Sequence, residues 1–179
     1  MRIEKIHHVA YRCRDAKETV EFYKAVLDMD LIGAIAEDQA PSTKAPDRYM
    51  HIFLDAGAGN ILAFFELPNS PEMGRDPNTP DWVQHIAFQV ADMDGLAEAK
   101  ARAERVGLEV VGPTDHSIFK SIYFRHPSGH RVEVAAPSGT TEQIRRMNEL
   151  AQLMLEDWSR TKTPPRHMAW LHEAEFTAR

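Results

Sequence analysis

His8-Val9-Ala10-Tyr11-Arg12-Cys13-Arg14-Asp15 and His85-Ile86-Ala87-Phe88-Gln89-Val90-Ala91-Asp92 state one pattern twice. Each is an alternating strand that runs into an Asp, and each Asp opens a stretch of helical period. Each half also closes on an apolar strand carrying one carboxylate: Phe64-Phe65-Glu66-Leu67 in the first, Arg131-Val132-Glu133-Val134 in the second. Such a duplication predicts two similar modules related by a pseudo-twofold axis, each contributing one His and one Glu.

Working outward, the first module occupies residues 1–67. Ile3 to Cys13 alternates as a strand, and Asp15 is a good N-cap for a helix over Ala16 to Leu27. Val20, Phe22, Tyr23, Val26 and Leu27 form its apolar stripe. Strands follow at Leu31 to Ala36, Tyr49 to Leu54 and Ile61 to Leu67, the last two joined through Gly57-Ala58-Gly59-Asn60. Residues 68–82, rich in Pro and Asn, read as a linker. The second module, 83–137, repeats the order: a strand at Val83 to Val90, a helix capped by Asp92 or Asp94, then strands at Leu108 to Val111, Ser117 to Phe124 and Arg131 to Ala135. Residues 138–179 read as a helical extension, with an amphipathic helix over Thr141 to Ser159 that either covers the core or packs on a second subunit.

The predicted fold class is therefore α+β. Two βαβββ modules form a curved, eight-stranded, partly open sheet around a cavity, and neither module can bury both faces of its own sheet. Strand alternation sends Val9 and Tyr11 under the first helix and turns His8, Ala10 and Arg12 the other way. The same parity turns His85, Ala87 and Gln89 inward. Glu66 is expected to share an inward face with Phe64, and Glu133 with Arg131. Two imidazoles and two carboxylates in one cavity suit a divalent ion such as Ni, Zn, Co, Mn or Fe. Tyr123 is expected to line the cavity, His116 to reach its mouth, and His126 and His130 to be solvated beside a turn. Cys13, on the helix-facing side, reads as a small buried hydrophobe.

With 21 basic and 27 acidic residues the net charge is −6, and no basic patch suggests a nucleic-acid partner. One cysteine excludes an internal disulfide and fits a reducing compartment. No apolar run approaches a membrane span and no leader is visible, so a cytoplasmic location is expected.

These motifs, with Tyr123-Phe124-Arg125-His126-Pro127-Ser128-Gly129-His130-Arg131-Val132-Glu133, resemble the vicinal oxygen chelate superfamily over about residues 3 to 137. That group includes glyoxalase I, epimerases, extradiol dioxygenases and drug-resistance proteins. The resemblance implies metal ligands at His8, Glu66, His85 and Glu133, the pattern of glyoxalase I. It also implies a lyase or isomerase acting on a small vicinal-oxygen substrate through a metal-stabilised enediolate, with Glu133 as base and Glu66 as its symmetry mate. Arg12 occupies the position of an arginine that contacts the substrate's anionic part. Phe64, Gln89, His116 and Tyr123 complete the expected substrate contacts. Ser70 stands where glyoxalase I has an asparagine, which separates metal binding from glutathione use. The alternatives are an Fe(II) extradiol ring-cleaving dioxygenase and a non-catalytic drug-sequestering protein. A homodimer is expected, with the site formed within one chain or by exchange of modules.

Overall fold

The computed structural model describes residues 1–172. The first module runs β1 (Val9–Cys13), α1 (Ala16–Leu27), β2 (Leu31–Gln39), β3 (Pro46–Asp55) and β4 (Ile61–Glu66). The second runs β5 (His85–Gln89), α2 (Met93–Arg105), β6 (Val111–Asp115), β7 (Phe119–Arg125) and β8 (Arg131–Pro137). A 21-residue helix, α3 (Thr141–Thr161), follows, then a short 3-10 turn at Ala169–His172. Among the described residues, no helix is long and apolar enough to cross a membrane.

The two sheets share one plan. Their orders are β1-β4-β3-β2 and β5-β8-β7-β6, with the first pair parallel in each and the rest antiparallel. Asp15 and Asp92 cap the two helices, accepting from the backbone N–H of Glu18 at 2.8 Å and of Gly95 at 3.0 Å.

Both helices and one face of each sheet feed a single core. Phe22, Tyr23 and Val26 of α1 and Leu96, Ala99 and Ala103 of α2 meet Leu62 and Phe64 of the first sheet and Ile122, Phe124, Val132 and Val134 of the second. Arg102 on α2 ties the helices by donating to the carbonyl of Ala25 at 3.1 Å. The modules also join at the turn between β7 and β8, where Ser128 Oγ accepts from Arg14 N at 3.0 Å and His130 Nε2 lies 2.6 Å from the Arg12 carbonyl. The opposite faces of both sheets are left open.

Three local expectations are corrected. β1 begins at Val9, because its partner β4 supplies register only from Leu62 onward; Ile3 and Ile6 stay exposed. The strand expected at Leu108 to Val111 lies instead at Val111 to Asp115. Gly112 carries it close to β7: its φ is +107°, and a Cβ there would stand 2.5 Å from the Ser121 carbonyl. His126 is not solvated but only 2% exposed, stacked between Tyr23 and Phe64 where the modules meet. Its Nδ1 accepts from Ser128 N at 3.0 Å, so the ring is held neutral.

Burial pulls the His126 pKa down to about 3. The unfolded ring takes up a proton below its ordinary value near 6.5, whereas the folded ring does so only near 3. Stability from this group is therefore complete above about pH 6.5 and declines as pH falls toward 3, by at most about 1.4 kcal/mol per pH unit. Urea midpoints of the wild type and of His126→Phe between pH 7 and 4 should diverge in slope. Parallel slopes would show that the imidazole titrates alike in both states.

Candidate metal centre

β5 and β8 assemble the second module's half of the site through their pairing. Register sets His85 against Arg131, Ala87 against Glu133 and Gln89 against Ala135, so all six share one face. β7 adds Tyr123 beside Glu133 and Ser121 beside Ala135. Ile122, Phe124, Val132 and Val134, of opposite parity, are in the core.

Here His85 and Glu133 meet. Nε2 of His85 lies 2.9 Å from Oε2 of Glu133, a carboxylate that is only 3% exposed. Nδ1 of His85 lies 3.0 Å from the Val83 carbonyl, which can only accept, so Nδ1 carries the hydrogen. Nε2 and Oε2 are thereby left side by side, where either a proton or a cation would join them. Ser121 Oγ donates to the other oxygen, Oε1. An imidazole and a carboxylate, each held from behind by a second group, are two donors of the kind a divalent metal would use. The donors fit such an ion.

Around them, Tyr123 Oη is 2.8 Å from Nε2 of His116, and the Arg131 guanidinium lies 4.2 Å over the Tyr123 ring. Burial, and then the neighbouring Glu133 charge, push the Tyr123 phenol pKa up. Gln89 sits exposed at the end of the same face.

The first module differs. Val9, Tyr11 and Cys13 pair with Leu62, Phe64 and Glu66, so the whole set lies on the helix side. Phe64 is completely buried, 5.4 Å from the Tyr23 ring. Glu66 turns to the start of α1, where its Oε2 accepts from Ala16 N at 2.7 Å. The expected inward face of Phe64 and Glu66 is thus one residue out of phase. Ala10 pairs with Ala63 as Ala87 pairs with Glu133, so the counterpart of Glu133 in the repeat is Ala63. The open face carries Arg12, Phe65 and His51 instead; the His51 ring stacks 3.6 Å from Phe65. Burial, and then the nearby His8, lower the His51 pKa.

His8 lies exposed just before β1, its Nδ1 2.8 Å from that of His7. Arg12 points its Nη2 at the linker, donating to the Pro71 carbonyl at 2.6 Å. The four donors at 8, 66, 85 and 133 do not converge in one chain: among the described residues, no group of three His, Cys, Asp or Glu stands close enough to hold an ion. Arg131 was expected on the face of Glu133 and is there, whereas Ser121, Phe65 and His51 were given no role by the sequence. For Phe65 the usable signal was Cys13, whose burial on the α1 side sets the parity of its β4 neighbour.

Because Glu66 holds the first turn of α1, Glu66→Ala should cost about 1–2 kcal/mol in thermal or urea unfolding. Metal uptake should be unaltered in the same protein. A fall in metal stoichiometry at unchanged stability would return Glu66 to the ligand set.

Two βαβββ modules joined through their helices, each holding one concave sheet open, define a paired-module α+β architecture. A profile of the Glyoxalase/Bleomycin resistance protein/Dioxygenase superfamily matches residues 5–134, and the chain belongs to that superfamily. A 2-epi-5-epi-valiolone epimerase from Actinomyces sp. is 30% identical over 149 residues, spanning 75% of this chain and 80% of the epimerase. Two solved structures share the fold. Lactoylglutathione lyase from Agrobacterium tumefaciens has a TM-score of 0.52 at 21% identity, covering 75% of this chain and 94% of that one. The fosfomycin resistance protein FosX from Listeria monocytogenes, complexed with Mn(II) and sulfate, has a TM-score of 0.55 at 21% identity, with coverages of 79% and 97%.

Proposed function

We propose that this chain is a metal-dependent isomerase or lyase that moves a proton on a small substrate bearing vicinal oxygens, an α-hydroxyketone or its equivalent. One observation carries the reading: His85 Nε2 and Glu133 Oε2 converge at 2.9 Å with their other polar atoms already engaged. His85 and Glu133 are two of the ligands. The third is His8 of a second copy, whose first module covers the open face of this chain's second module. A homodimer of exchanged modules follows, with two equivalent sites. The ion, when bound, supplies Lewis acidity to the substrate's paired oxygens.

The remaining work belongs to this chain's side chains. Glu133 has both oxygens committed, which favours a ligand role over that of base. The Tyr123 phenol, its pKa raised, and His116 Nε2 lie 2.8 Å apart and would form a relay: as the hydroxyl oxygen takes the proton leaving the substrate carbon it passes its own hydrogen to His116, and the reverse transfer returns a proton to carbon. The epimerase relative supports return of a proton to carbon, in place of oxygen insertion.

The test begins with chelator-stripped protein reloaded singly with Mn, Fe, Co, Ni or Zn. Each form is incubated in D₂O with a panel of α-hydroxyketones and with the hemithioacetal of methylglyoxal and glutathione. Metal-dependent deuterium wash-in at the carbon beside the carbonyl supports the reading. Metal uptake without exchange on any compound, or oxygen consumption on catechols, would overturn it.

A further inference from the structure

A cavity of about 460 Å³ lies where the linker, the start of β5 and the β7–β8 turn meet; neither Glu133 nor Tyr123 stands in its walls. The joint of the modules supplies Tyr11, Tyr23 and Ile86 to those walls, and the linker supplies Met73 and Pro80. The linker holds its shape because its acidic groups are tied. Asp81 pairs with Arg75 and accepts from Arg125 Nη2 at 3.3 Å. Asp76 accepts from Thr79 Oγ1 and, at 2.9 Å, from Asn78 N.

Two polar side chains in the walls are left without partners. Arg131 makes no ion pair among the described residues; its guanidinium lies 4.2 Å over the Tyr123 ring, and its Nε is buried with nothing to bond. Tyr23 is only 1% exposed, and its hydroxyl makes no hydrogen bond among the described residues. Burial, and then the neighbouring Tyr11, push the Tyr23 phenol pKa up, so the group remains a donor. Buried polar groups almost always find a partner, and a guanidinium and a phenol around one cavity ask for a bound acceptor. Charge narrows the choice. Arg75, Arg125 and Arg131 in the walls meet only two carboxylates, Asp76 and Asp81, which leaves one positive charge over. A single negative charge balances the cavity, whereas a phosphate dianion overfills it.

We infer that this cavity binds a small organic monocarboxylate, its charged end on Arg131 and its apolar body against Tyr11, Tyr23 and Ile86. The guanidinium offers a fork of N–H donors that suits a carboxylate, and the Tyr23 hydroxyl donates to the same ligand. The aromatic and aliphatic walls favour an acid with a ring or chain over a bare anion. Arg12 has no part in this: its Nη2 is engaged by the Pro71 carbonyl, and it does not line the cavity. His85 does stand in the wall, so a bound acid touches the second module's half-site from the side; no metal ion is needed to fill the cavity.

Isothermal titration of the chelator-stripped full chain tests this, so that the outcome is separate from that of the metal reading. The probes are hexanoate, benzoate, phenylacetate and 3-phenylpropanoate, with phenylacetamide as a neutral match and inorganic phosphate as a bare anion. At least one acid should bind at one site per chain with a dissociation constant below about 1 mM. Phenylacetamide should bind at least about tenfold more weakly than phenylacetate. Arg131→Met should lose about 10- to 100-fold in affinity for the acid and keep its affinity for the amide. Tyr23→Phe should weaken acid binding several-fold while leaving the urea midpoint unchanged, because no protein group loses a partner. Absence of binding by all four acids up to about 10 mM would overturn the proposal. So would an amide or phosphate that binds as tightly as the best acid, or unchanged acid affinity in both variants, which would place the acid elsewhere on the chain.

Discussion

Glu133→Gln is expected to lower metal affinity by about 10- to 100-fold and to abolish turnover, while leaving the fold intact. The swap is isosteric, so Ser121 can still donate to the Gln carbonyl and β8 keeps its register. What disappears is the anionic oxygen 2.9 Å from His85 Nε2. In its place stands an amide that holds a cation far more weakly, and ligand or outer-shell losses of this kind cost about 10- to 100-fold. Metal content after gel filtration measures the effect directly. The subunit arrangement makes a second expectation. His8→Ala should also be inactive, but equal amounts of the two inactive variants, unfolded and refolded together, should regain about a quarter of wild-type activity. Half of the dimers are then mixed, and one of the two sites in each mixed dimer draws His8 and Glu133 from the unaltered modules. Recovery of nothing would place all ligands in one chain. An active, metal-loaded Glu133→Gln would remove the site altogether.

Phe64→Ala is expected to destabilise the protein by about 3–5 kcal/mol, enough to unfold a marginal domain. Phe64 is wholly buried, with Tyr23, Tyr11 and His126 around its ring. Its loss opens a cavity at the joint between the modules, between α1 and the β7–β8 turn. Its neighbour Phe65, on the open face against His51, should cost only about 1 kcal/mol when cut to Ala. Urea denaturation of both variants reads the parity of β4 in solution. Equal losses would mean that the strand's two faces are not distinguished as described.

That parity marks the boundary of what the sequence could tell. The repeated His-apolar-Ala-aromatic openings, the capping aspartates at 15 and 92 and the prolines after Leu67 carry local information, and local information predicts elements and their order. The alternation of β5 and β8 was equally legible, because His85 and Glu133 are each followed by bulky apolar residues that must go under α2. β4 was not: Phe64-Phe65 offers two aromatics of opposite parity, either of which suits a core. Similarity of the two strand endings pointed to Glu66 as the partner of Glu133, yet the pairing of Cys13 with Glu66 selects the other face. His126 misled for a related reason. A His beside Pro-Ser-Gly reads as a solvated turn, and nothing local announces that α1 of the other module will close over it.

By itself, then, the chain determined two duplicated βαβββ units, their helix faces, and the imidazole and carboxylate of the second half, because periodicity and capping act between residues a few positions apart. Only the tertiary structure decided that Glu66 serves α1, that Ala63 stands opposite Glu133 in the repeat, and that the two concave faces look outward. Those outcomes depend on interstrand register and on how one module's helix meets the other's, contacts made between residues fifty or more positions apart. No local preference encodes them.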